Sequence, residues 1–330
     1  EENKRSLPWR GEHDPYKIWV SEIILQQTRV QQGWDYYLRF IETFPTVQAL
    51  AMAPEEQVLK VWQGLGYYSR ARNMHAAAQQ IMSQHQGCFP EKYDDVRALK
   101  GVGDYTAGAI ASFAYDLPYP ALDGNVYRVL SRLYDIDIPF DTTQGKKHFH
   151  AIAEELLDTH HPRLFNSAIM EFGALYCLPQ SPDCTNCPLA TFCQANMHHT
   201  ADLLPIRKAR PTVRDRYLKY TIFVESAKDN ANKEDILHCR TLIHQREGKD
   251  IWQHLWEFPV QESNQPFVYK PHALTFTHVL SHQRLHAGFE ISKVTHLPQQ
   301  QGAKAVTFSD LQNYALSRLT LRALEQLIGK

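Results

Sequence analysis

The chain has 330 residues, a length that suggests two domains and leaves ample material for a hydrophobic core. Hydrophobic residues make up 43% of the chain and charged residues 22%, as in an ordinary globular protein. No run of apolar residues is long enough to predict a membrane span. The first residues are polar and lack the apolar region of a secretory signal. A cytoplasmic protein with no membrane attachment is therefore expected.

A net charge of −1 conceals an asymmetry between the two halves of the chain. Residues 1–205 carry 17 Lys and Arg against 24 Asp and Glu, whereas residues 206–330 carry 18 against 12. Overall neutrality argues against a nonspecific nucleic-acid binder, which normally displays a basic surface. Overall neutrality is still compatible with a protein that binds phosphates through backbone amides and a few cations. The basic segment 206–219 fits a solvated linker or a phosphate contact equally well.

Apolar residues recur at helical spacing through the first part of the chain, beginning after Asp14-Pro15. No strand is expected before residue 215. Short β-branched or aromatic segments separated by turns then follow, and a capped helix closes the chain. The sequence thus predicts a multi-domain protein. It has an all-α domain over 1–205, a basic linker over 206–218 and an α+β domain over 219–330.

Four of the six cysteines lie within the segment 177–193, in the pattern C-x6-C-x2-C-x5-C: Cys177, Cys184, Cys187 and Cys193. In a cytoplasmic chain such crowding indicates a metal site rather than disulfides. The pattern lacks the two C-x2-C pairs of a zinc ribbon and the C-x2-C-x2-C run of a ferredoxin. We predict one [4Fe–4S] cluster in a loop after a helix, with structural zinc as the alternative.

A glycine hairpin, Gly101-Val102-Gly103, joins two helices predicted within about 93–115. Glycine permits positive φ and close backbone approach, so successive N–H groups can point outward at the start of the second helix. The helix dipole favours an anion there, and a DNA phosphate fits. Taken alone, the motif fits a plain turn between two helices equally well.

Three motifs in this order resemble the helix-hairpin-helix DNA glycosylases of the endonuclease III superfamily: "LKGVGDYTAGAI" (99–110), the acid in "LDGNV" (122–126) and the cysteine pattern. Within that superfamily, "SEIILQQTRV" (21–30) and "GLGYYSRARN" (64–73) resemble the adenine DNA glycosylases of the MutY family. The resemblance covers nearly the whole chain. It implies a monomer that acts on double-stranded DNA containing A:8-oxoguanine or A:G mispairs.

Glu22 and Asp123 are the candidate catalytic acids. Adenine is a poor leaving group until a ring nitrogen is protonated, and its departure leaves an oxocarbenium-like sugar. Cleavage therefore needs one protonated carboxyl group and one ionised carboxylate. The resemblance implies that Glu22 protonates N7 and that Asp123 either stabilises the sugar cation or acts as a transient nucleophile. In the rival interpretation, a non-catalytic iron–sulfur protein that binds DNA, both acids are structural.

Tyr105 stands where lyase members of the superfamily place a lysine nucleophile. An amine can form a Schiff base and so cut the strand, and a phenol cannot. The resemblance therefore implies a monofunctional glycosylase, although Lys100 could give weak lyase activity. The alternative is a bifunctional glycosylase and lyase.

Recognition of a mispair requires the target base to leave the stack. The resemblance implies that Gln27 and Thr28 face DNA, and that Leu65 and Tyr67 wedge beside the opposite base. In the alternative interpretation, Tyr67 packs at the edge of the hydrophobic core and does not act as a wedge. The remaining residues predicted to bind DNA or steady the adenine pocket are Arg10, Gly101, Gly103 and Asn125.

Segment 242–259 resembles the Nudix-like recognition domain of the same enzymes. The E-x-x-E-E core of catalytic Nudix proteins is missing, so pyrophosphate hydrolysis is not expected. Ser281 and His282 fit the Ser-His pair that bonds N7–H and O8 of 8-oxoguanine in the family. Leu280 stands where the bacterial pattern often has Phe, which casts doubt on ring stacking there.

Overall fold

The structure is a computed structural model that describes residues 5, 7–9, 11–209, 212–226 and 233–329. Arg10, predicted to contact adenine, lies outside these residues. The chain divides into two compact units. We call Glu1–Met52 with Ala76–Arg210 the helical unit, and Ala53–His75 with Pro211–Lys330 the C-terminal unit.

The α-helices are, in chain order, α1 (Pro15–Leu25), α2 (Val30–Thr43), α3 (Val47–Met52), α4 (Glu55–Val61), α5 (Ser69–Gln84), α6 (Tyr93–Ala98), α7 (Asp104–Tyr115), α8 (Gly124–Leu133), α9 (Thr143–Leu156), α10 (Pro162–Leu175), α11 (Gln194–Met197), α12 (Lys233–His238) and α13 (Arg318–Ile328). Short 3-10 helices cover Ala201–Leu203 and Asp310–Asn313. The helical unit holds α1–α3 and α6–α11, and α5 begins in the C-terminal unit and ends in the helical unit.

Helix α1 is buried on nearly every side and packs against α2 and α7. It begins at a favourable cap, because Asp14 accepts a hydrogen bond from the Tyr16 amide at 2.9 Å and proline occupies the first turn. Trp19 and Ile24 are completely buried. Glu22 therefore lies inside an apolar helix and not on a solvated face.

The predicted hairpin is confirmed, with α6 and α7 spanning 93–115. The Val102 amide donates to the Leu99 carbonyl at 3.1 Å, and Gly101 has a φ of +79°, which favours glycine. Arg97 steadies the turn by donating to Val102 O at 3.1 Å and to the Asp104 carboxylate at 2.5 Å.

The described residues of the C-terminal unit form one seven-stranded sheet in the order β3-β2-β1-β6-β5, with β4 also paired to β1 and β7 to β2. Its strands are β1 (Arg214–Glu225), β2 (Arg240–Gln245), β3 (Trp256–Glu257), β4 (Val260–Ser263), β5 (Leu274–Val279), β6 (Gln283–Val294) and β7 (Ala303–Thr307). Strands β1 and β6 pair in parallel and the other pairs are antiparallel. Tyr220 and Phe289 stack at 4.4 Å in its core. The predicted α+β class is confirmed.

Two boundaries differ from those predicted. Strand β1 begins at Arg214, inside the segment 206–218 predicted as linker, because its residues pair with β6. The start of that segment is bonded to the helical unit, since Lys208 N donates to the Asp141 carboxylate at 2.8 Å. The sequence also places residues 53–75 in the helical domain, whereas they pack within the C-terminal unit. Among the described residues, no helix is both long and apolar enough to cross a membrane.

Candidate active site

A cavity of about 1480 Å³ lies within the helical unit, lined by residues of α1, α7, α8 and α10. Glu22, Tyr105 and Asp123 all line it. The predicted DNA-binding residues on the same lining are Gln27, Thr28, Gly101, Gly103 and Asn125. The fold thus brings together two acids that are far apart in the sequence.

Glu22 and Tyr105 are directly bonded. Glu22 is only 8% exposed, and the Tyr105 hydroxyl donates to Glu22 Oε2. Burial, together with the negative charges of Glu22 and Asp123, raises the pKa of Tyr105 well above its usual value. The phenol therefore stays protonated at neutral pH and acts as a hydrogen-bond donor.

Asp123 is the N-cap residue of α8. Its Oδ1 accepts from the amides of Asn125 and Val126, both at 2.8 Å, and its Oδ2 accepts from Asn125 Nδ2 at 2.7 Å. Burial raises the pKa of Asp123, and these three donors oppose the rise. Because every one of these partners is an N–H donor, the surroundings fit the ionised form.

A hydrogen-bonded chain leads from Asp123 through α8 to the cysteine segment. Arg128 donates to Asn125 Oδ1 at 2.9 Å and to the carbonyl oxygens of Gly173 and Cys177, both at 2.6 Å. A Cβ atom at Gly173 would lie 2.7 Å from Asn125 Cβ, so glycine is needed for this close approach. Arg128 was not predicted, although an arginine beside the buried Val126 and Val129 is the signal that could have indicated it.

Arg132, on the same helix, is 2% exposed and holds the cysteine segment. It donates to Cys177 Sγ at 3.3 Å, to Leu178 O at 2.7 Å and to Ala201 O at 2.8 Å. Cys193 Sγ lies 3.3 Å from the Arg132 carbonyl oxygen.

Among the described residues, no three His, Cys, Asp or Glu side chains are arranged to hold a single metal ion. Burial raises the pKa of the Cys184 thiol, and the charges of Cys193, Cys177 and Cys187 add to the rise. The other three cysteines therefore lie near enough to Cys184 to act on it electrostatically.

Arg5 and Glu171 form a second pair on the cavity wall. Arg5 Nε donates to Glu171 Oε1 at 2.7 Å and Arg5 Nη2 donates to Oε2 at 2.8 Å, a bidentate geometry. Neither residue was predicted. They are 166 positions apart, and no local pattern links them.

Four of the predicted recognition residues lie in the C-terminal unit. Tyr67 is 48% exposed, whereas Leu65 is 8% exposed, so only the tyrosine of the predicted wedge is presented to solvent. Ser281 and His282 are both exposed in the turn between β5 and β6, with Ser281 Oγ 3.1 Å from His282 Nδ1. Leu280 packs against the core of this unit.

Residues 20–158 match the HhH-GPD superfamily of base excision DNA repair proteins, and residues 236–326 match the NUDIX domain. An adenine DNA glycosylase from Buchnera aphidicola subsp. Baizongia pistaciae is 34% identical over 256 residues. That alignment covers 78% of this chain and 69% of the Buchnera protein. The chain belongs to the adenine DNA glycosylase family.

Two further relatives extend this result. The human adenine DNA glycosylase is 32% identical, and the alignment covers 99% of this chain and 62% of the human protein. A solved thermostable thymine-DNA glycosylase is 26% identical with a TM-score of 0.55, over 59% of this chain and 89% of that one. Membership of the adenine DNA glycosylase family confirms the predicted resemblance and fold, and makes the chain a DNA glycosylase that hydrolyses N-glycosyl bonds.

Proposed function

We propose that this protein removes adenine from double-stranded DNA where it is paired with 8-oxoguanine or guanine, and that it acts as a monofunctional glycosylase and a monomer. The observation that carries this proposal is the single cavity lined by Glu22, Tyr105 and Asp123. Paired carboxyl groups on the wall of one cavity match the needs of N-glycosidic cleavage.

In this mechanism Glu22 supplies the proton to N7 of the extruded adenine. Its position in an apolar helix limits solvation of the charged form, and the Tyr105 hydroxyl fixes the orientation of the carboxyl group through Oε2. A carboxyl group that accepts a hydrogen bond on one oxygen can carry its proton on the other. After the base leaves, the conjugate base of Glu22 takes a proton from the attacking water.

Asp123 stabilises the oxocarbenium-like sugar in this mechanism. The N–H donors from Asn125 and Val126 support its ionised form and fix its direction. A carboxylate whose direction is fixed by hydrogen bonds stabilises developing positive charge without having to reorient during the reaction.

Tyr105 supports the absence of an efficient lyase step. Its phenol is bonded to Glu22 and its pKa is raised by burial and by the neighbouring carboxyl groups, so it is neither an amine nor a phenolate nucleophile. Strand cutting through a Schiff base would need another residue.

We further propose that Cys177, Cys184, Cys187 and Cys193 bind one [4Fe–4S] cluster, which would stabilise the loop that carries them. Support comes from their spacing and from the Arg132 contacts to Cys177 and Cys193. Assays of iron and acid-labile sulfide in the purified protein test this assignment, and stoichiometric zinc without sulfide would contradict it.

The function is tested by single-turnover adenine release from duplexes that place 8-oxoguanine, guanine, cytosine or thymine opposite the adenine. Fast release opposite 8-oxoguanine and guanine only is expected. Borohydride is added in a parallel reaction. A strong covalent adduct with DNA would support the bifunctional alternative, and no release from any duplex would support a DNA-binding protein without activity.

A further inference from the structure

The loop from Gly64 to Tyr68 presents an aromatic ring in an unusual backbone conformation. Tyr67 has a φ of +48°, which side chains with a Cβ atom rarely adopt, and its side chain is 48% exposed. Such a conformation persists only where the surrounding structure holds it. The contacts that could hold it come from Trp62 and Arg70.

Arg70, in the first turn of α5, joins the exposed ring to the buried interior. Its guanidinium carbon lies 5.7 Å from the centre of the Tyr67 ring and 5.2 Å from that of the Trp62 ring. Trp62 is completely buried, and its indole N–H donates to Gly66 O at 3.1 Å. Arg70 therefore contacts both the buried Trp62 ring and the exposed Tyr67 ring.

The same guanidinium holds the loop backbone. Arg70 Nη2 donates to Gly66 O at 3.3 Å and lies 3.5 Å from Leu65 O, and Arg70 N donates to Tyr67 O at 2.9 Å. Burial lowers the pKa of Arg70 to about 10, so the group is still a cation at neutral pH. A planar cation suits both stacking on rings and donation to adjacent carbonyl oxygens.

Resting on the proposed function, we propose that Arg70 is a positioning residue that holds Tyr67 ready for insertion beside the base opposite the target adenine. A ring that is already ordered loses little conformational freedom when it enters the stack. Arg70 acts through Tyr67 and the loop backbone, with no contact of its own to DNA required. Substitution of Arg70 should therefore weaken binding only in a protein that retains Tyr67.

A double-mutant cycle with Arg70→Gln and Tyr67→Ala tests this dependence. Three quantities are measured on an A:8-oxoguanine duplex: the dissociation constant of the duplex, single-turnover adenine release, and the fluorescence of a 2-aminopurine placed next to 8-oxoguanine, which reports unstacking. Because stacking on an aromatic residue contributes measurably to binding of each base, Tyr67→Ala should lower binding about tenfold. Arg70→Gln should reproduce much of that loss, and the double variant should equal Tyr67→Ala alone.

Three controls make the outcome decisive. Arg70→Lys keeps the charge but loses the planar group, so it should restore binding only in part. Arg39→Gln removes another arginine that stacks on tyrosine, 4.5 Å from the Tyr36 ring in α2, and should leave 2-aminopurine fluorescence unchanged. Melting temperatures monitor folding. Additive losses in the double variant, or an unchanged fluorescence signal in Arg70→Gln, would overturn the inference, whereas failure of the wild type to release adenine would overturn the proposed function instead.

Discussion

The cavity of the helical unit and the turn at Ser281 and His282 have opposite environments. Glu22 and Asp123 are held by hydrogen bonds on the wall of a cavity. Ser281 and His282 are exposed and bond to each other. Burial changes proton affinity, which acid catalysis requires, whereas a residue that reads a base must remain accessible until DNA arrives. Substitutions in the cavity should therefore impair adenine release, whereas substitutions in the turn should impair recognition of the opposite base.

The largest effect is expected for Glu22→Gln. The amide keeps the shape of the side chain but cannot donate the proton, so single-turnover adenine release should fall about 10³-fold or more. Affinity for an A:8-oxoguanine duplex should change little, because the substitution removes chemistry and leaves the binding surface in place. Equal release by variant and wild type would exclude Glu22 from the mechanism.

Arg128→Met should damage both catalysis and folding. Loss of the guanidinium leaves Asn125 Oδ1 and the carbonyl oxygens of Gly173 and Cys177 without this donor. The cost is about 2–4 kcal/mol in the free energy of unfolding, as expected for a broken buried network. Adenine release should fall about 10²-fold because the orientation of Asp123 is loosened.

Arg128→Lys is the matched control for this substitution, since it keeps the charge without the forked geometry. Iron content should be measured in both variants, because Arg128 also holds the Cys177 carbonyl. A fully active and stable Arg128→Met protein would show that the hydrogen-bonded chain has no role in placing Asp123.

His282→Ala should change only the preference for the base opposite the target adenine. Loss of one hydrogen bond to the opposite base should lower the preference for 8-oxoguanine over guanine about tenfold. The melting temperature should stay constant, because exposed side chains contribute little to stability. His296→Ala, an exposed histidine outside this turn, should have no effect on the preference. A loss of release with every opposite base would place His282 in folding or general DNA binding.

Local patterns in the sequence account for most of the fold, whereas the catalytic roles of Glu22 and Asp123 rest on the resemblance to a family. The glycines at 101 and 103 indicated a turn between two helices, because that signal lies within a few residues. The Arg5–Glu171 pair and the grouping of residues 53–75 with the C-terminal unit could not be predicted in this way. Both depend on packing between distant segments, for which one sequence carries no periodic signal.

The smallest expected effect is a pH-dependent gain in the stability of Asp123→Asn, which is opposite in sign to the loss of activity in the same variant. Burial raises the pKa of Asp123 above 3.8, its usual value, so the folded protein binds the proton more tightly than the unfolded chain. Ionisation therefore costs stability, and this cost is absent below the unfolded pKa and complete above the folded one. Asp123→Asn keeps a capping oxygen for the α8 amides without the charge, and it sets an amide N–H group against the Asn125 Nδ2 donor, a cost that does not depend on pH. Relative to wild type, the variant should therefore gain about 1 kcal/mol in the free energy of unfolding between pH 4 and neutral pH, a typical size for one substitution, while losing adenine release.

Urea unfolding of wild type and Asp123→Asn from pH 8 downward measures this difference directly. The gain in the variant should shrink as the pH falls through 4, because the wild-type carboxyl group becomes protonated first in the folded state and then in the unfolded state. Asp35→Asn, which alters an exposed acid of α2, serves as the control and should show no such trend. A difference that stays constant with pH would mean that hydrogen bonding to the cap, and not burial of charge, sets the stability at this position. Asp123 would then resemble Ser281 and His282 in having no energetic conflict between folding and function.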